Sequence, residues 1–244
     1  MNEFLNEWRN LQRALNMHMI LENNGFFQLL DSVGNSAVSD AGLGDEHKHD
    51  VTLQENVDKA ISEGDESALK QAFEAWSEDH IKHLIHEEEI MMPIIPKTGK
   101  NCVEHGQVVH DRLFSAIDSM DEFDWTLNWI LEKLNRANNE GQPSDVMIRV
   151  FVWGLHYSAD DSQWQRWLPI VKNGVSQDLY QQLVNDFRIE RPGRVGAVTD
   201  LKDEFSYLPE DGPRPMPFAV MRNTHEALRS SINEMSNLLE VKAA

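Results

Sequence analysis

The stretch HLIHEEEIMMPII, residues 83–95, sets a histidine and a glutamate four positions apart, His83 and Glu87. The stretch HMILENNGFFQLL, residues 18–30, repeats that layout without a gap: His18 stands for His83, Glu22 for Glu87, and Phe26-Phe27 for Met91-Met92. On a helix, residues four apart lie one above the other on one face. An imidazole nitrogen and a carboxylate oxygen stacked in this way can grip one metal ion. That donor pair suits iron, manganese or zinc better than calcium or magnesium.

A second motif alternates with the first. EHKHDVTLQENVDKAI (46–61) and EHGQVVHDRLFSAIDSM (104–120) both open with Glu-His, giving His47 and His105, and both carry a valine four residues later, at Val51 and Val109. The order along the chain is therefore His-x-x-x-Glu, lone His, His-x-x-x-Glu, lone His. Four antiparallel helices in that order converge six groups, His18, Glu22, His47, His83, Glu87 and His105, on a two-metal site with a pseudo-twofold axis.

The elements that must position these groups are helices. No run of alternating β-branched residues bounded by turn dipeptides occurs, whereas helical periodicity is pervasive. The pattern predicts helices near 3–31, 45–63, 66–95, 101–120, 122–139, 144–171, 176–190 and 216–240. SVGNSAVSDAGLGD (32–45) reads as a loop, SEGDES (62–67) as a stop followed by a cap, and Pro93 and Pro96 as the end of the third helix. Short loops between long amphipathic helices predict an all-α, up-and-down four-helix bundle with additional C-terminal helices. Residues 1–171 form one unit, with 122–171 as an added helix pair. Residues 172–244 hold further helices and a long connector at 190–217, and read as cover for the bundle or a degenerate half-repeat.

The whole pattern resembles the hemerythrin-like, or HHE cation-binding, family. HLIHEEEIMMP fits that family's His-x-x-x-Glu helix closely; in HMILENNGFFQLL, Gln28 replaces the proline and Asn23 the second glutamate. The resemblance covers about 10–120 well and 144–170 loosely. It implies a non-haem centre of two iron ions, oxo- and carboxylate-bridged, that binds or senses O2, handles iron, or meets peroxide or another small diatomic ligand. It also keeps a second assembly open. HYSADDSQWQRWLPIV (156–171) offers His156 with Asp160 or Asp161 in place of His18 and Glu22, and His110 stands as an additional ligand on the helix of His105. THEALRSSINEMSNLL (224–239) looks like a further lone-histidine helix. His49, His80 and His86 read as surface or locally bonded histidines, as does His110 unless its helix supplies two ligands, and Glu88 and Glu89 read as a charged face.

Composition narrows the function classes. A net charge of −19 argues against nucleic acid and anionic membranes, both of which are polyanions. No apolar run approaches the roughly 18–20 residues of a membrane span. A single cysteine, Cys102, precludes an internal disulfide and fits a cytoplasmic protein. Three function classes stay open: a di-iron protein for O2 or iron, a di-iron peroxidase or oxidase on the same site, and a helical interaction protein holding zinc or no metal. The C-terminal region is the expected surface for any protein partner.

Overall fold

Every regular element among the described residues is a helix. The computed structural model describes residues 2–99, 102–117, 119–136, 144–193, 195 and 216–240, and for 102, 103, 105, 144 and 216–219 the backbone alone. Most of the 190–217 connector and of the turn at 138–145 lies outside the described residues.

The first long helix is α1 (Asn2–Leu21), which passes through one π turn (Glu22–Phe26) into α2 (Phe27–Gly34). A short α3 (Ala37–Ala41) lies within the segment expected to be loop. It is held by Asp31, whose carboxylate accepts from the Val38 and Ser39 amides. Then come α4 (Leu43–Glu63) and α5 (Glu66–Met91). Gly64, at φ +68°, closes α4, and Asp65 caps α5 by accepting from the Ser67 and Ala68 amides, as the SEGDES stretch implies. They are followed by α6 (Cys102–Arg112), α7 (Met120–Arg136), α8 (Ser144–Ser158), α9 (Asp161–Gly174), α10 (Gln177–Phe187) and α11 (Met216–Glu240).

One helix over 144–171 is corrected to two. Asp160 caps α9 through a reciprocal box with Gln163, which breaks the run after Ser158. The chain at 193 presses on that break: a Cβ on Gly193 would lie 2.2 Å from the Asp160 carbonyl oxygen, so the close approach needs glycine.

Four helices present one buried seam each, at alternating spacings of three and four. On α1 the seam is Phe4, Trp8, Leu11, Leu15, His18 and, beyond its end, Glu22; on α5 it is Phe73, Trp76, His80, His83 and Glu87. On α4 it is His47, Asp50, Gln54 and Val57, and on α11 it is His225, Leu228, Ile232 and Met235. Such spacing keeps one stripe facing a partner along the whole helix. Trp8 meets Trp76 while His18 meets Glu87, so α1 and α5 run in the same direction. Asp50 meets Trp76 while His47 meets Glu87, so α4 opposes α5. Lys133 of α7 reaches Glu7 and Glu234 together, while His225 reaches Glu22, so α11 opposes α1. No helix among the described residues is long and apolar enough to cross a membrane.

Candidate metal centre

Where the four seams meet, apolar residues give way to histidine and glutamate. Glu22 and Glu87 occupy the middle. Glu87 Oε1 lies 3.1 Å from His83 Nε2 and 3.2 Å from His47 Nε2. Its other oxygen, Oε2, lies 3.4 Å from His225 Nε2 and 3.8 Å from His18 Nε2. Glu22 Oε2 stands 3.1 Å from His18 Nε2 and 3.4 Å from His47 Nε2, and Oε1 stands 3.8 Å from His225 Nε2. Each carboxylate thus touches both imidazole pairs, His47 with His83 and His18 with His225.

All six side chains are buried, Glu87 and His225 completely. Their eight inward atoms, four Nε2 and four carboxylate oxygens, are buried and face one another rather than any other hydrogen-bond partner. A buried polar atom without a partner costs about 1–3 kcal/mol, and cations held between these atoms would remove that cost when the rings are neutral. Ligand atoms of His18, Glu22, His47 and Glu87 lie within 4.8 Å of one another and form the one group able to hold a metal found among the described residues.

The outer ring nitrogens settle which nitrogen faces inward. His83 Nδ1 donates to Glu46 Oε2 at 2.8 Å, His47 Nδ1 to Asn23 Oδ1 at 3.1 Å, and His225 Nδ1 to Glu88 Oε1 at 3.0 Å. With one proton held on Nδ1, loss of the second ring proton leaves the Nε2 lone pair pointing to the centre, the arrangement metal-ligating histidines adopt. Phe27 stacks on the His47 ring at 5.3 Å. The π turn carries Glu22 and Asn23 to their places, and Gly25 lets it close: a Cβ there would lie 2.5 Å from the Arg112 carbonyl oxygen.

The charges are tightly interdependent. Burial pulls His18 down to about 4, against the pull of Glu22 and Glu87. For His47 and His225, burial again opposes the charged form, but the glutamates outweigh it and raise them to about 10 and about 9. Burial and mutual repulsion push Glu22 up, and burial does the same to Glu87, yet the surrounding imidazoles leave both below the ordinary carboxylate value.

An apolar cavity of about 60 Å³ opens on the His18 and Glu22 side, with Met17, Phe26, Leu127, Trp129 and Phe151 in its wall. It has room for roughly four water-sized molecules.

Five of the expected ligands, His18, Glu22, His47, His83 and Glu87, therefore come together. His105 lies on α6, but its side chain is outside the described residues. His110 and Asp160 face one another at 3.5 Å, away from the centre. His156 Nε2 donates to the Arg191 and Pro192 carbonyls, and Asp161 is exposed. His225 was not among the expected ligands, although the lone-histidine pattern of its helix was visible. Glu88, expected on a solvated face, is corrected: it is half-buried and accepts from both His225 and Arg229. Compared with protein-family models, curated proteins and solved structures, the chain matches none of them.

Proposed function

We propose that this chain is a non-haem, di-iron binding protein of hemerythrin-like type that binds or senses O2. The reading has α1, α4, α5 and α11 as the four-helix bundle around the ions, so that α11 belongs to the same unit as the first three. The observation that carries it is the set of eight buried Nε2 and carboxylate atoms, in which Glu22 and Glu87 both reach two imidazole pairs. His47 with His83 would hold one ion, His18 with His225 the other, and Glu22 and Glu87 would bridge them. Nitrogen and carboxylate donors suit iron, manganese or zinc. Two divalent ions bring four positive charges; Glu22 and Glu87 oppose half, while Glu46 and Glu88 stand behind His83 and His225. Reduced iron held by these residues would supply the electrons that O2 binding needs. The apolar cavity beside His18 supports a small uncharged ligand, since its wall offers few polar partners.

The test is metal content after iron loading of the intact chain and of Glu87→Gln. That change keeps size but removes the bridging charge. We expect about two irons in the intact chain and loss of both in the variant. Two irons retained by the variant, or zinc alone in the intact chain, would reject the di-iron reading.

A further inference from the structure

A row of aromatic rings leads away from the centre along the α5 and α1 seams. His83 and His80 have ring centroids 5.9 Å apart. His80 stacks on Trp76 at 5.3 Å with 19° between the planes, and Trp76 meets Trp8 edge-on at 4.9 Å. Trp76 and Trp8 are both buried. Each indole N–H points at a carboxylate: Trp76 Nε1 donates to Asp50 at 2.9 Å, and Trp8 Nε1 donates to Asp58 at 2.7 Å. Asp50 is buried and Asp58 is exposed, so the row ends at solvent.

We propose that Trp76 and Trp8 form a relay that carries oxidising equivalents from the metal centre to the surface at Asp58. The proposal rests on the di-iron reading for its oxidant, which we take to be a hydroperoxide reacting at the centre. Reduction of a hydroperoxide to an alcohol and water consumes two electrons and two protons. Trp76 gives up one electron at a time inward and becomes an indole radical cation. Trp8 then returns an electron to Trp76, and the Trp8 radical releases its Nε1 proton through Asp58 to water. A soluble one-electron donor restores Trp8 while the proton returns from solvent. Two such cycles supply the two electrons, and the two protons that the reduction consumes come from solvent, so the net change is hydroperoxide, two protons and two electrons from the donor to alcohol and water.

Electrostatics select this row over the other aromatic pair near the centre. Trp129 lines the cavity and stacks on Trp125, but Arg13 lies 4.0 Å over the Trp125 ring and Lys133 6.0 Å from Trp129. A cation over a ring raises the energy of removing an electron from it; a carboxylate on the indole N–H lowers it. Trp76 and Trp8 each have the carboxylate and Trp125 and Trp129 each have the cation. Hydrogen bonds from His80 and Gln54 hold the Asp50 carboxylate in place.

The test uses the full chain in two forms. Iron-loaded protein is mixed with hydrogen peroxide, frozen, and examined by electron paramagnetic resonance; peptide mapping then locates oxygen addition. We expect a tryptophan radical and oxidation at Trp8. Trp8→Phe should strand the radical on Trp76, and Trp125→Phe should change nothing. Separately, a ruthenium photo-oxidant is attached at Lys59→Cys in a Cys102→Ser background, on protein carrying no metal. A light flash should produce the radical on Trp8 and Trp76, and lose it in Trp8→Phe. A radical on Trp125 or Trp129, or none on Trp8 and Trp76 in the flash experiment, overturns the relay. Failure to bind iron removes the di-iron reading and with it the relay's oxidant, whatever the flash result; iron bound with no radical on Trp76 or Trp8 overturns the relay alone.

Discussion

His47 Nδ1 donates to Asn23 Oδ1 at 3.1 Å, and Asn23 directly follows Glu22. On the other side of the centre Glu88, which directly follows Glu87, accepts from His225 Nδ1 at 3.0 Å. The residue after each central glutamate thus orients the histidine of a lone-histidine helix. The repeat seen between residues 18–30 and 83–95 therefore extends beyond the ligands to their supports, and it pairs α4 with α11. The replacement of a second glutamate by Asn23 keeps the acceptor while removing a charge.

From this pairing, His225→Ala should lose metal to the same degree as His83→Ala, by elemental analysis of purified protein. His105→Ala should retain it. The reverse outcome, with His105 needed and His225 dispensable, would assign the fourth position to α6.

The supporting hydrogen bonds carry their own expectation. Asn23→Ala and Glu46→Ala leave all six inward groups present but free the His47 and His83 rings to turn. Each should weaken metal binding about 10- to 100-fold in competition with a chelator, the usual effect of removing such a support. An unchanged affinity would mean that packing alone, including Phe27 on His47, fixes the rings.

Metal uptake should expel protons. His47 and His225 are raised to about 10 and about 9, so both are charged at neutral pH before metal binds, and metal requires the neutral ring. His18, lowered to about 4, has no proton to give. Against burial, Glu87 and Glu46 raise His83 as well, so calorimetry at pH 7 in buffers of different ionisation enthalpy should report two or more protons released per chain, and affinity should rise as pH climbs toward 9. Uptake without proton release would contradict the charge state assigned to the centre.

Gly25→Ala tests the link between backbone and site. The added Cβ meets the Arg112 carbonyl oxygen, so the π turn or α6 must shift. We expect a loss of about 1–3 kcal/mol in denaturant unfolding. The same variant should hold less metal, because Glu22 rides on that turn. Lost stability with full metal content would separate the two.

The parts of this account legible in the sequence are those with local causes. The ligand pairs His18/Glu22 and His83/Glu87 follow from helical spacing, and the α4–α5 junction from Gly64 and Asp65. What stayed hidden depends on distant partners. The π turn at Glu22–Phe26 has no local signature, being set by the approach of Arg112 to Gly25. Glu88 looks like a solvated acid until α11 brings His225 and Arg229 to it. His225 sits beyond a long connector, so spacing alone cannot say which lone-histidine helix closes the centre. The break at Asp160 is a different case: the Asp-x-x-Gln cap was readable, but the strong apolar periodicity on both sides masked it.

The central claim is that Glu22, Glu87 and four imidazoles hold two redox-active ions. It is tested most directly by iron content together with the optical spectrum of the reduced, iron-loaded chain before and after exposure to air. The account expects about two irons per chain and a charge-transfer band that appears in air and fades when oxygen is removed. A chain that takes up no iron, or takes it up equally well after Glu87→Gln, would contradict it.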